Sequence, residues 1–230
     1  NYYGIETAWD FIQKTESWIR KQMSVTGVRT WLELKGISCI AIEQNPSGKQ
    51  NICTSRSFGE EISDFPVLLE SVAYFTASCA RKLRGQKSVA GIITVFLYTN
   101  RFKKEVPQYY PSITVHLPVP SANPGELIKY ARMALKQIFR PGYKYKKAGV
   151  IVSDITSASN VQCSLFDATD RHKQAKILSV IDTVNRKYGT DTLRSCAQPP
   201  NCFRKWSLKS QYISRRYTTN INDIIVLNCK

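Results

Sequence analysis

The chain is 230 residues long and 43% hydrophobic, enough for one good core with appendages or for two small domains. Its apolar runs are too short to span a bilayer. Lys and Arg outnumber Asp and Glu by 33 to 17, a formal charge of +16. That is more than solubility asks of a small domain, and with no basic amphipathic anchor helix in view the expected partner is a polyanion, nucleic acid before membrane.

Residues 1–35 read as helical. Thr7 is placed to cap a short helix through Trp9 and Phe11, and a second helix runs from Trp18 and Ile19 through Val28, Trp31, Leu32 and Leu34 to a stop at Gly36. Residues 37–48 form a linker with Asn45-Pro46-Ser47-Gly48 as its turn signal. The pattern then changes. Lys49 to Phe58 is extended and rich in Thr and Ser, closed by Gly59. Asp64 is positioned to cap a long helix to Leu83 whose apolar stripe is Leu69, Val72, Ala73, Thr76, Cys79, Ala80 and Leu83, at the 3.6-residue period. Ile92–Thr99 and Ser112–Leu117 read as strands, the second alternating Ser112/Thr114/His116 against Ile113/Val115/Leu117. Asn123-Pro124-Gly125-Glu126 combines an N-cap, a proline in the first turn and an early carboxylate, a strong helix start. That helix carries Leu127, Ile128, Ala131, Ala134, Leu135, Ile138 and Phe139 on one face and stops at Pro141-Gly142; Ala148–Ile155 is the last strand.

The order is β-α-β-β-α-β, and each helix has a single apolar stripe. The economical packing is an α+β fold, a four-stranded sheet with both helices on one face. The other face stays open, lined by Ser112, Thr114, His116, Lys147 and Ser153; the faces of the first two strands remain unassigned, because their register is ambiguous. Beyond 156 come a polar loop, a helix from Asp170 to Tyr188 with Ile177, Val180, Ile181 and Val184 on one face, and a turn-rich tail with Pro199-Pro200.

Charge is unevenly placed: 5 basic and 5 acidic residues in 1–48, 16 and 7 in 49–156, 12 and 5 in 157–230. The candidate DNA contacts are Ser112, Thr114, His116 and Lys147 on the open face, Arg101, Lys103, Lys104, Lys144 and Lys146 in flanking loops, and Arg56 in the first strand. Short donors and flexible cations suit phosphates rather than a bidentate base code. The strands lack the closely spaced exposed aromatics of an RNA-recognition sheet, so RNA is the poorer reading. Seven cysteines are scattered without a Cys-x-x-Cys, and only His116 and His172 could complete a metal site. Cys53 and Cys79 read as small core residues and the thiols as reduced, in keeping with a cytoplasmic protein. Glu60-Glu61 and Asp64 read as strand-end and helix-start carboxylates, and Asp154 has no acidic neighbour. Neither two-metal nor Ser/His/Asp chemistry can be built.

Gln162-Cys163-Ser164-Leu165-Phe166, in a polar loop, has the form of short peptides that dock on the bacterial sliding clamp. Leu165 and Phe166 would fill an apolar groove and the Gln162 amide would give directional hydrogen bonds, with Ser164 between them.

Five stretches, in order along nearly the whole chain, closely resemble the C-terminal half of the UmuC-like Y-family translesion DNA polymerases, the DNA polymerase V type. They are Gly4-Ile5-x-Thr7-Ala8-x-Asp10, Ser55-Arg56-Ser57-Phe58-Gly59, Gly142-x-x-Tyr145-x-Lys147-Ala148-Gly149-Val150, Gln162-x-x-Leu165-Phe166-Asp167, and Trp206-Ser207-Leu208-Lys209 with Ser214-Arg215-Arg216-Tyr217-Thr218-Thr219. The resemblance implies that 1–36 is the end of a thumb, 49–156 a little finger that grips template and primer, and 157–230 a C-terminal extension. Ser55, Arg56 and Ser57 match the family's first-strand DNA motif, and Gln162, Leu165 and Phe166 its clamp peptide. Cys163 departs from the usual Leu, which implies weaker clamp binding. UmuD-type and RecA partners and a role in SOS damage tolerance are implied by resemblance alone. The catalytic palm, with its magnesium-binding carboxylates, would lie N-terminal to this chain. No cofactor is therefore expected here, and the chain, which opens without Met, is expected to be part of a longer protein. The rival reading is a free-standing DNA- and clamp-binding adaptor without polymerase activity.

Overall fold

The computed structural model describes residues 3–42, 47–162, 167, 169–198, 206–208 and 213–225. Two compact units emerge, 1–47 and 48–230.

In the first unit, α1 (Ala8–Ile12) opens with a capping box: Thr7 Oγ1 accepts from the Asp10 amide at 3.2 Å, and Asp10 Oδ2 accepts from the Thr7 amide at 3.0 Å. Amide donors from Glu6 and Thr7 hold the Asp10 carboxyl below its ordinary range. α2 (Glu16–Leu34) is tied to α1 by Trp31 Nε1, which donates to the Ile12 carbonyl at 3.0 Å. The sequence pattern predicts an uninterrupted second helix, but Ser24 takes φ 59° and ψ −162°, and the helix kinks there.

The second unit is the β-α-β-β-α-β domain. Its strands are β1 (Ile52–Ile62), β2 (Ser88–Thr99), β3 (Ser112–Ser121) and β4 (Tyr145–Ser157), its helices α3 (Phe65–Gly85) and α4 (Pro124–Ile138). All pairs are antiparallel, in the order β1-β4-β2-β3. α3 covers β1 and β4, and α4 covers β2 and β3. Of the stripe read from sequence on α3, Val72, Ala73, Thr76, Cys79, Ala80 and Leu83 are buried; Leu69 is only half-buried, and Leu68, Ser71 and Phe75 are buried in addition. Asp64 precedes α3, but its side chain makes no capping bond. Asn123 does cap α4, Oδ1 accepting from the Gly125 amide at 2.8 Å. The strands run longer than the sequence predicts. β1 continues through Gly59 to Ile62, so Glu60 and Glu61 belong to the strand.

Register assigns every face. On the helix side run the rows Ile52–Val152–Ile93–Val115, Thr54–Val150–Val95–Ile113 and Arg56–Ala148–Leu97. Cys79 is fully buried beneath them, its thiol directed at Thr54 Oγ1 (3.2 Å) and pushed up in pKa by burial. Cys53, expected in the core, is instead exposed on the other face, opposite Ile151.

Parts of the C-terminal extension pack on the domain. Helix α5 (Arg171–Tyr188) meets the domain through polar contacts: Arg84 grips Asp182 with Nε at 2.6 Å and NH2 at 2.7 Å, and Arg171 pairs with Glu126 at 3.3 Å. The apolar face predicted for α5 splits accordingly. Ile177 and Val180 are exposed, while Leu178 and Ile181 turn into a cleft beside Tyr74 and Arg84. Further on, Trp206 is 1% exposed and joins the domain core, its ring 5.2 Å from Tyr74 and 5.4 Å from Phe75. The Gly59 amide of β1 donates to the Ser207 carbonyl beside it at 3.2 Å. Trp206→Ala should therefore destabilise the second unit by about 3–5 kcal/mol. Denaturant unfolding followed by circular dichroism measures this, and an unmoved midpoint would show that the extension is not part of the core.

Candidate nucleic-acid interface

The open face is built by the same register. Across the sheet lie four rows: Ser57–Lys147–Tyr98, Ser55–Gly149–Phe96–Ser112, Cys53–Ile151–Thr94–Thr114, and Ser153–Ile92–His116. Thr94 and Thr114 seal their row with a 2.8 Å hydroxyl hydrogen bond. Ser112, Thr114, His116, Lys147 and Ser153 thus share one face, with Ser55 and Ser57 beside them. No helix covers it among the described residues.

Arg56 does not belong to this face. It stands opposite Ala148, in a helix-side row, and is exposed only because β1 is an edge strand. A strand alternates its side chains, so adjacent Ser55, Arg56 and Ser57 cannot all point one way.

Two glycines let the sheet close. A Cβ on Gly149 would lie 2.3 Å from Phe96 Cζ and 2.5 Å from Ser55 Cβ. The Phe96 ring occupies that space, which leaves Phe96 buried on the nominally open side. Gly91 makes room in the same way for Asp154 of β4, which sits at φ 52°, and on the other side of Gly91 the β2–β3 ladder shifts register between Ala90 and Ile92.

Cations gather at one end. Lys144, Lys146 and Lys147 lie at the start of β4; Arg101, Lys103 and Lys104 lie in the connection after β2, and the ladder sets Tyr98 against Lys147. All six are exposed or half-buried. Two have internal bonds: Lys146 Nζ donates to the Gly59 carbonyl at 3.2 Å, and Lys103 Nζ meets Glu61 Oε1 at 2.9 Å. The Lys103 bond, with help from Asn100, holds the Glu61 carboxyl below its ordinary range. Toward the opposite end the face carries Ser153, His116 and Ile92, with exposed Lys87 just before β2.

Sequence reading missed Ile92, Thr94, Phe96, Tyr98 and Ile151. Phe96 and Tyr98 lie 4.9 Å apart on this face, with Tyr110 5.7 Å from Tyr98, but Phe96 is buried and Tyr98 half-buried. Residues 88–99 are apolar almost throughout, so no alternation marked which side chains face outward.

The peptide Gln162–Phe166 follows β4. Gln162 is exposed; Ser164, Leu165 and Phe166 lie outside the described residues. On its far side Asp167 accepts from Arg171 at the start of α5, and Arg171 also reaches Glu126. Arg171 keeps the Asp167 carboxyl below its ordinary range.

Architecture, register and the uncovered basic face together define a little-finger type of domain. A family model described as the impB/mucB/samB family C-terminal domain matches residues 49–165, and a domain of unknown function (DUF4113) matches 175–227, the stretch that holds most of α5 and Trp206. Protein UmuC of Salmonella typhimurium is 35% identical over 226 residues, covering 98% of this chain and 53% of that protein. Protein ImpB of Salmonella typhimurium is also 35% identical, over 97% of the chain and 52% of its own length, and Protein MucB of Escherichia coli is 32% identical over 99% and 53%. The chain belongs to the impB/mucB/samB family and corresponds to a UmuC-like C-terminal half. It spans about half the length of the curated relatives it matches.

The Gly149–Phe96 contact has a measurable consequence. Gly149→Ala should cost about 1–3 kcal/mol by overpacking. Phe96→Ala in the same chain should relieve part of that, giving a double variant less destabilised than the sum of the singles. Additive losses in urea unfolding would mean that the ring and the glycine do not share the space.

Proposed function

We propose that this chain is the DNA-gripping and clamp-tethering portion of an error-prone translesion DNA polymerase. One observation carries the reading: a sheet left uncovered on one side, with small donors in register across it and six cations clustered at one end. Ser, Thr and Lys donors serve phosphate oxygens, which are the same beneath damaged and intact bases. A grip indifferent to sequence suits synthesis across lesions. UmuD-type and RecA partners, and the SOS setting, come with the family resemblance. In the adaptor reading the same surfaces bind without a polymerase half; two adjacent carboxylates on a palm strand of the full-length protein would distinguish the two.

DNA affinity should be high at low salt and independent of sequence. If about five phosphates are neutralised, log K should fall with log salt at a slope of about −4 to −5. Lys147→Ala should reduce the slope by about 1 and weaken all sequences alike. Arg56→Ala, off the face, should do less, and Lys173→Ala with Lys176→Ala on α5 is the control. Fluorescence anisotropy over a salt series decides; dominance of the α5 pair would place the DNA surface on the wrong element.

Clamp binding should run through Gln162–Phe166. Replacing Leu165 and Phe166 with Ala removes two anchors, each worth about 1.5–3 kcal/mol when fully buried. Titration of the cognate sliding clamp should show binding fall to near-undetectable, and equal affinity of wild type and double variant would refute the peptide.

Residues 1–230 alone should incorporate no nucleotide on a primer-template with magnesium or manganese, because the palm carboxylates are expected N-terminal to them. Incorporation by the purified chain, free of other polymerases, would contradict this.

A further inference from the structure

The connection between β2 and β3 is a built loop rather than slack. Its root is closed by the Thr99 amide donating to the Tyr109 carbonyl at 3.2 Å. Inside it, Gln108 Nε2 donates to the carbonyls of Lys103 (2.7 Å), Val106 (3.1 Å) and Asn100 (3.2 Å). Asn100 Oδ1 accepts from the Phe102 amide at 3.2 Å, and Asn100 Nδ2 and Lys103 Nζ both reach Glu61 on β1. The product of this bonding is a loop that holds Phe102 out in solvent, 89% exposed. A loop free to collapse would bury such a ring, since apolar area gains by leaving water. Here the hydrogen bonds at Asn100 and Gln108 fix the backbone around it.

Phe102 lies between Arg101 and the pair Lys103-Lys104, with Glu105 as the one carboxylate in the run. At the root of the same loop, Tyr98 and Tyr110 pack edge to face with centroids 5.7 Å apart, and Lys147 is the ladder partner of Tyr98. An outward aromatic ring set among cations is complementary to one class of ligand that is both anionic and flat-faced. Cations take phosphates, and a ring takes an unpaired base. An apolar protein groove would match the ring but not the charges around it.

We propose that Phe102 stacks on an unpaired nucleobase, so that this loop holds single-stranded nucleic acid beside the phosphate-gripping sheet face. The inference rests on the DNA-binding reading above. It adds a contact that reads strandedness through a base, where the sheet face reads only backbone. Its physical signature is separable, because stacking changes affinity without changing the number of counterions released.

The test uses the whole chain, a fluorescein-labelled single strand, and a strand of equal length and charge with abasic sites in place of its central bases. Wild type should bind the intact strand about tenfold more tightly than the abasic one. Phe102→Ala should bind both equally, near the wild-type affinity for the abasic strand, with an unchanged salt slope. Lys104→Ala should keep the preference for bases and lose about 1 in slope. Phe102 is almost wholly exposed, so the variant's melting temperature should match wild type. Several results would overturn the inference: no wild-type preference for the intact strand, a preference that survives Phe102→Ala, or a slope change on removing the ring. The first of these, with DNA still bound, would leave the loop as a protein contact and the sheet-face reading intact. A wild-type chain that binds neither strand removes both.

Discussion

Everything else in the second unit depends on one constraint: α3 and α4 each have a single apolar stripe, and both stripes must leave water against the same sheet. Leu68, Val72, Phe75 and Leu83 on α3 and Leu127, Ala131 and Leu135 on α4 meet Ile93, Val95, Leu97, Val150 and Val152 on one side. With both helices committed there, the opposite face has no cover of its own. Period-2 alternation then places polar residues on it in β3 and β4. The exposed surface is thus a by-product of how the core closes, and its chemistry is set by which residues fall out of phase with the core.

That surface is graded. At one end Lys147, Tyr98 and the loop cations gather; at the other stand Ser153, His116 and Ile92. Between them Gly149 gives up its side chain to the Phe96 ring. Glu61 tempers the basic end by pairing with Lys103 and also anchors the β2–β3 loop through Asn100. One carboxylate therefore serves loop order and charge balance together.

The extension is bound to the domain by contacts of more than one kind. Arg84–Asp182 and Arg171–Glu126 fix α5 by directional, half-buried ion pairs. Trp206 fixes the later segment by apolar burial against Tyr74 and Phe75. The clamp-type peptide lies between the end of β4 and Asp167, which Arg171 ties back to α4's first turn through Glu126.

The order β-α-β-β-α-β, most of the buried stripes of α3 and α4, the Asn123 cap and the open-face set Ser112, Thr114, His116, Lys147 and Ser153 were legible in the chain's local pattern. Each of these is written in local periodicity or in a capping residue that acts over one turn. Tertiary structure alone decided what depends on pairing between distant segments. The register of β1 against β4 moved Arg56 to the helix side and Cys53 into solvent, because a run of Cys, Thr, Ser and Arg has no apolar alternation to declare its faces. The β2 run 88–99 is apolar nearly throughout, so only its ladder with β3 and β4 turned Phe96 and Tyr98 outward. Trp206 sits in a turn-rich stretch without period, and its burial came from a hydrophobic site on α3 more than 120 residues away in the chain. Local physics fixes which elements form; which side of an edge strand faces the core, and which late side chain completes it, is settled only when the sheet is assembled.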